Sequence, residues 1–300
     1  MFTLIKEPDD GMQSVYDFIG TATHESGLDM TMYELDDQEV LNLFAQAAAN
    51  GVGPRVLLNA SDGSRARNES AYEFLAGHKV NVQWASLRYE VTHQKSIRVG
   101  TQVMVMTLNA QTVDYATSRD FAVIDADPVD AAAVKMTFEA DLVGAAITPP
   151  VGNHLVWGPT NAHPVMLDLI NGAAESLIVE SEEISDPEIV TALGAKAKSG
   201  LSVKVVMTDA PNWKADFDRL AAAGVEISTY ALTAPLYIHA KVTIADVGLG
   251  TQAAFIGSEN DCTVSLTKNR ELGLRVTDAA LITALDATLA SDFEGGKIWP

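Results

Sequence analysis

One pattern occurs twice in this chain, and the repetition constrains the fold more than any other feature. His93-Gln94-Lys95 is followed by Thr107-Leu108-Asn109 and then Arg119-Asp120; His239-Ala240-Lys241 is followed by Gly257-Ser258-Glu259-Asn260 and then Arg270-Glu271. Histidine, lysine, hydroxyl, amide and acid recur in one order, at a period of about half the chain. The flanking sequence repeats as well. Leu4-Ile5-Lys6-Glu7-Pro8 answers Leu155-Val156-Trp157-Gly158-Pro159, each an apolar strand start closed by a proline turn. Amphipathic stretches follow both, Val15 to Ile19 and Val165 to Ile170, with apolar residues at helical spacing.

Leu28 to Tyr33 and Leu177 to Ser181 then read as strands. In each copy a second helix ends at a glycine, Asn50-Gly51 or Ser199-Gly200, and runs into an apolar strand, Arg55 to Leu58 or Lys204 to Met207. A third helix, around Glu69 to Ala76 or Trp213 to Ala223, leads to a strand at Val80 to Trp84 or Val225 to Tyr230. Tyr33 and Glu182 fall at corresponding strand positions and are expected to face one pocket from opposite halves. Thr148-Pro149-Pro150-Val151-Gly152-Asn153 breaks any regular element. The expected organisation is an N-terminal half at 1–147, a linker at 148–153 and a C-terminal half at 154–300. Strands alternating with helices make it an α/β chain whose sheets are covered by helices.

A chain of 300 residues can bury a sizeable core, as one large domain or two intimate ones. Its net charge of -20 repels polyanions and opposes the basic surface that nonspecific DNA binding needs. A local pocket holding Lys95, Lys241 and nearby arginines can still bind one phosphate. Cys262 is the single cysteine, so no intrachain disulfide forms and the compartment cannot be read from cysteine pairing; it reads as a small free thiol. No stretch has the roughly 18 to 20 apolar residues of a bilayer span, so a soluble protein is expected. Met1 to Pro8 lacks the sections of a signal peptide, which leaves a cytoplasmic location and secretion after loss of a leader both open.

In an extended His-x-Lys segment both side chains point to one face, so histidine and lysine reach the same pocket. Lysine supplies positive charge to a phosphate oxygen. Asn109 and Asn260, with the hydroxyls of Thr107 and Ser258, add hydrogen bonds that stabilise charge on the equatorial oxygens. Two such sets form a cage that needs neither a metal nor a cofactor. The remaining histidines, His24, His78, His154 and His163, are scattered and read as structural or surface groups.

HAKVTIAD, FIGSEN and NRELGL of the second copy resemble the HKD signature of the phospholipase D superfamily nearly position for position, and THQKSIRV, MTLN and SRDFAVI of the first copy extend the likeness. The chain is therefore similar to two-motif, single-chain members such as bacterial phospholipase D-like proteins. The resemblance implies two αβα sandwich halves about a pseudo-twofold axis, with the active site at their junction. It also implies an acid behind each histidine, Asp120 and Glu271, and makes His93 the nucleophile that forms a phosphohistidine while His239 protonates the leaving alcohol. Asp246 and Gly257 are structural members of the motif. The first copy departs from it, with Gly100 in place of Asp246 and Met106 in place of Gly257, which puts its local strand support in doubt.

The implied activity is metal-independent hydrolysis of a glycerophospholipid, with transfer to a second alcohol as a related outcome. A nuclease of the same superfamily and a noncatalytic phosphate-binding relative are the alternatives. Two motifs in one polypeptide make a monomer sufficient. The loop Thr208 to Trp213 and the run Trp84 to Tyr89 carry aromatic and apolar residues that suit transient contact with a lipid interface, against ordinary core packing.

Overall fold

The computed structural model describes residues 1–61, 63–209 and 213–300. Two mixed sheets form its frame. The first runs β1 (Phe2–Glu7), β7 (Ser118–Asp125), β6 (Gln102–Met106), β5 (Ser96–Val99), β2 (Leu28–Met32), β3 (Arg55–Leu58), β4 (Asn81–Trp84). The second repeats that order as β8 (Leu155–Gly158), β15 (Glu271–Val276), β14 (Ala253–Gly257), β13 (Lys241–Ala245), β9 (Ser176–Ser181), β10 (Ser202–Asp209), β11 (Glu226–Ala231), and adds β16 (Lys297–Ile298) at its edge. In each sheet the strands linked by helices pair in parallel, β2 with β3 and β9 with β10, while the motif strands pair antiparallel.

Side-chain alternation along the strands sorts residues into layers. Met104, Met106 and Ala122 join an outer core with α1 (Gln13–Gly20), α2 (Gln38–Ala49) and α3 (Ser64–Gly77), whereas Val103, Val105, Phe121 and Val123 face a second core. The second half does the same. Ala253 and Phe255 pack with α5 (Ala162–Gly172), α6 (Pro187–Lys198) and α7 (Lys214–Ala222), and Ala254 and Ile256 turn to the shared core. That shared core, completed by α4 (Pro128–Leu142) and α9 (Ala279–Gly295), is apolar surface from both sheets, so the halves are joined by hydrophobic burial.

Four helices begin at aspartate caps: Asp37, Asp127, Asp186 and Asp278 each accept backbone N–H groups of the first turn. Each carboxylate satisfies otherwise orphaned donors and meets the positive end of the helix dipole. Part of the acidity of the chain is therefore structural.

The first copy's departures are compensated. Asp246, in the left-handed region at φ 56°, accepts backbone N–H bonds from Ala174, Glu175 and Ser176, tying the β13 end to the start of β9. Gly100 holds the same turn at φ 59°, and the support comes from Arg98 instead. Its guanidinium binds Asp29 of β2 at 2.6 Å and the carbonyls of Ser26 and Gly100. Gly257 is needed because a Cβ there would lie 2.4 Å from the Gly273 Cα and 2.5 Å from the Glu259 carboxylate. In the first half Met106 pairs with Ala122, and the buried Leu108 stands where Glu259 does. The doubt over local support is thus resolved in favour of an intact first strand set.

Burial raises the Asp246 carboxyl, but the three backbone N–H bonds outweigh it and hold it below the usual value. A depressed folded value means the carboxylate stabilises the fold above the unfolded pKa and loses that contribution as pH falls through the folded one. Asp246→Asn keeps a residue tolerant of the left-handed turn. It is expected to destabilise by about 1–3 kcal/mol in urea unfolding at neutral pH, with the gap to the wild type narrowing toward pH ~3.

Candidate active site

The backbone crosses between halves at both motifs. β12 (Tyr237–Ile238), immediately before His239, pairs in parallel with Ser118 and Arg119 of the first half. Thr92, immediately before His93, bridges Arg270 of the second. The amides of His93 and Gln94 both donate to the Arg270 carbonyl at 2.9 Å, and the His239 amide donates to that of Arg119 at 3.2 Å. Each histidine is thereby fixed beside the residue that follows those arginines, which is the acid of the other copy. His93 Nδ1 lies 3.0 Å from Glu271, and His239 Nδ1 lies 2.8 Å from Asp120.

The acids are held in turn by the motif hydroxyls. Thr107 Oγ1 donates to Asp120 at 2.5 Å and accepts the Phe121 N–H; Ser258 Oγ donates to Glu271 at 2.6 Å and accepts the Leu272 N–H. Sequence reasoning gave these hydroxyls to the phosphate. Both are fully buried and spend their one proton on a carboxylate, so their part is to aim the acid. Glu271 takes two further donors, Ser265 at 2.7 Å and Asn269 at 3.1 Å, which the repeat did not reveal because α8 (Thr263–Thr267) follows only the second motif. Burial raises Glu271, yet His93, its hydrogen bond, Lys95 and Ser258 together bring the carboxyl below its ordinary value. For His93 burial is the largest effect and lowers the imidazole, against the pull of Glu271.

Lys95, immediately before β5, and Lys241, the first residue of β13, are buried, each donating to the carbonyl of its own histidine, at 2.7 Å for Lys95. Burial pushes Lys95 down to about 7; Glu271 raises it and the neighbouring Lys241 lowers it. Two buried ammonium groups that repel each other are a site that an anion would relieve. Asn109 Oδ1 and Asn260 Oδ1 are buried without a hydrogen-bond partner among the described residues.

Tyr33 and Glu182 do face the site from opposite halves. The Tyr33 ring sits edge-on to His93 at 4.6 Å with the Lys95 ammonium 4.9 Å from its centroid. Glu182 lies 3.0 Å from Lys241, 3.6 Å from His239 Nε2 and 3.5 Å from Asn260 Nδ2, and accepts the Tyr237 hydroxyl. Burial raises its carboxyl, but Lys241 and His239 more than reverse that and hold it well below the carboxylate range. A cavity of roughly 760 Å³ opens beside this cluster, with Tyr33, His93 and Asn260 in its wall and Glu90, Glu183 and Cys262 farther along it. His239 is outside that lining and joins it through Glu182 and Asn260.

Other expectations sort cleanly. The arginines near the motifs are not free for phosphate: Arg119 is bound to Asp292 and Asp9, and Arg270 to Asp141 and Tyr89. Trp84 stacks on Tyr72 at 4.6 Å, and Trp213 packs against the outer core of the second half, while Leu87 is exposed. Residues 210–212 of the loop from Thr208 to Trp213, the other segment expected to suit a lipid interface, lie outside the described residues. Burial raises the Cys262 thiol, as suits an inert cysteine. His154, expected to stand apart, gathers with Asp125 and Asp130 at the far end of β7 from Asp120. Asp130 receives the Asn153 N–H and the His154 ring, so this cluster anchors the linker. No helix among the described residues is long and apolar enough to cross a membrane.

The family model described as "Cardiolipin synthase, PLD-like domain" matches residues 15–142 and again 166–293. No curated protein sequence matches the chain. Among solved structures, phosphatidylserine synthase of Haemophilus influenzae Rd KW20 superposes with a TM-score of 0.74 at 11% identity, covering 99% of this chain and 87% of that one. Polyphosphate kinase of Porphyromonas gingivalis gives a TM-score of 0.76 at 15% identity over 96% of this chain, which spans 46% of the kinase. Those likenesses show a shared fold. With two domain matches covering most of its length, the chain belongs to the phospholipase D superfamily and carries two PLD-like domains in one polypeptide.

Proposed function

We propose that the protein is a metal-independent phosphodiesterase of phospholipase D type, acting on glycerophospholipids through a phosphohistidine. The single observation that carries this reading is the crossed pairing of His93 with Glu271 and His239 with Asp120, which orients two imidazoles from different halves at one junction. With Nδ1 committed to a carboxylate, each ring presents Nε2 to the substrate.

The surroundings of the two rings support different roles. His93, lowered by burial, acts as the neutral nucleophile, and His239, whose Nε2 lies 3.6 Å from the Glu182 carboxylate, acts as the proton donor. His93 Nε2 attacks phosphorus, the phosphorus–oxygen bond to the headgroup breaks, and His239 gives its proton to the departing alcohol. Neutral His239 then takes a proton from water, whose oxygen displaces His93 and leaves a phosphomonoester. Lys95, Lys241, Asn109 and Asn260 stabilise the equatorial oxygens; Asp120 and Glu271 orient the rings, in the manner of the third member of a triad.

A lipid is favoured over a polynucleotide because the overall charge of -20 and the acidic wall at Glu90 and Glu183 repel a polyanion. Both motifs lie in one chain, so a monomer suffices.

Phosphatidylcholine incubated with the protein, EDTA and a primary alcohol is expected to yield phosphatidic acid and the phosphatidylalcohol, because alcohol intercepts the phosphoenzyme. Intact lipid alongside nicked plasmid would replace this reading with a nuclease. His93→Ala is expected to abolish phosphoenzyme formation, and His239→Ala to slow turnover by roughly 10²–10⁴-fold; a near-normal rate in either variant removes that histidine from the mechanism.

The pH profile of kcat/KM is expected to be a bell. Activity rises as His93 loses its proton, placing the acid limb below the ordinary imidazole value, and falls above about 7 as free Lys95 loses its charge. A flat profile between pH ~5 and ~8 would contradict both assignments.

A further inference from the structure

The two halves differ most, within the site, at the residue just beyond β2 and β9. Tyr33 covers Lys95 with a neutral ring, while Glu182 sets a carboxylate against Lys241, the His239 ring and the Asn260 amide. Those three donors are the second half's share of the cage proposed for the phosphate. An anionic ligand must therefore lie against a fixed negative charge on one side and not on the other.

The charges of the site are nearly matched without a ligand. With His93 neutral and His239 carrying the proton that the proposed reaction needs, and up to about pH 7, where Lys95 keeps charge, Lys95, Lys241 and the imidazolium stand against Asp120, Glu271 and Glu182. Tyr237, which accompanies Glu182 by donating to it at 3.2 Å, adds no charge, because burial, then Glu182 itself, raises the phenol. A phosphodiester brings one negative charge into this balance, and a phosphomonoester above its second ionisation brings two. The second charge gains nothing new from the lysines and meets additional repulsion from Glu182 at close range, where the surrounding protein screens less than water does.

Resting on the phosphodiesterase reading, we propose that Glu182 is a specificity-determining residue that makes the site accept singly charged phosphodiesters and reject doubly charged phosphomonoesters. Its repulsion acts on the product of the reaction, a monoester, and so promotes product release while admitting the diester. Tyr33 brings no carboxylate to the opposite side.

Glycerol 3-phosphate tests this, since it is a monoester with no bond for the enzyme to hydrolyse by this route. It carries about one charge at pH ~5 and nearly two at pH ~7. Its binding is measured by calorimetry to the wild type and to Glu182→Gln, with Glu182→Ala as the second variant should the first fail to fold. At pH ~7 the substitution is expected to tighten binding by about tenfold or more; at pH ~5 it is expected to change affinity by no more than about threefold. Equal effects at both pH values would overturn the inference and leave the phosphodiesterase reading standing, as Glu182 would then act through the shape of the site. No binding to either protein at either pH, together with intact lipid in the alcohol-trapping assay, would sink that reading and this inference with it.

Discussion

Each histidine owes its position to the backbone of the opposite half. The residues before His239 pair with Ser118 and Arg119, and the residue before His93 bridges Arg270, so each ring is delivered to an acid from the other copy. A carboxylate fully removed from water needs several donors, and the hydroxyls of Thr107 and Ser258 supply them from within the acid's own half. Loss of the crossing would leave buried acids facing no imidazole. The site therefore exists only when both halves are assembled, and the apolar core shared by the two sheets supplies the burial that keeps them so.

Symmetry builds the frame, and it is broken within the site. The strand order, the crossing and the hydroxyl–acid–histidine chain occur twice. Glu182 opposite Tyr33, and Ser265 and Asn269 on Glu271 alone, occur once. Glu271 is saturated by four donors while Asp120 has fewer, and His239 has a second acid beside its outer nitrogen. Two imidazoles in equivalent places thus have different surroundings.

Much of this was legible in the sequence. The repeated His-x-Lys, amide and acid pattern pointed to a duplicated α/β fold, and the glycine and proline punctuation marked the helices and strands. The exchange of acids was not legible, because sequence order places Asp120 after His93 and Glu271 after His239, and the association is reversed by the pairing of β12 with β7 and by the Thr92–Arg270 bridge, which join distant segments. The hydroxyls were given to phosphate because nothing local distinguishes a donor to a ligand from a donor to a buried carboxylate. Gly100 and Met106 looked like lesions; their compensation by Arg98, Ala122 and Leu108 depends on neighbours distant in the chain.

The central claim is that the imidazoles of the two copies address one phosphorus. A crystal structure of the protein soaked with inorganic phosphate tests it most directly. The account requires a single bound phosphate with His93 Nε2 and His239 Nε2 on opposite sides and both lysine ammonium groups on its oxygens. Two phosphates in separate cavities, or rings that face different openings, would contradict it.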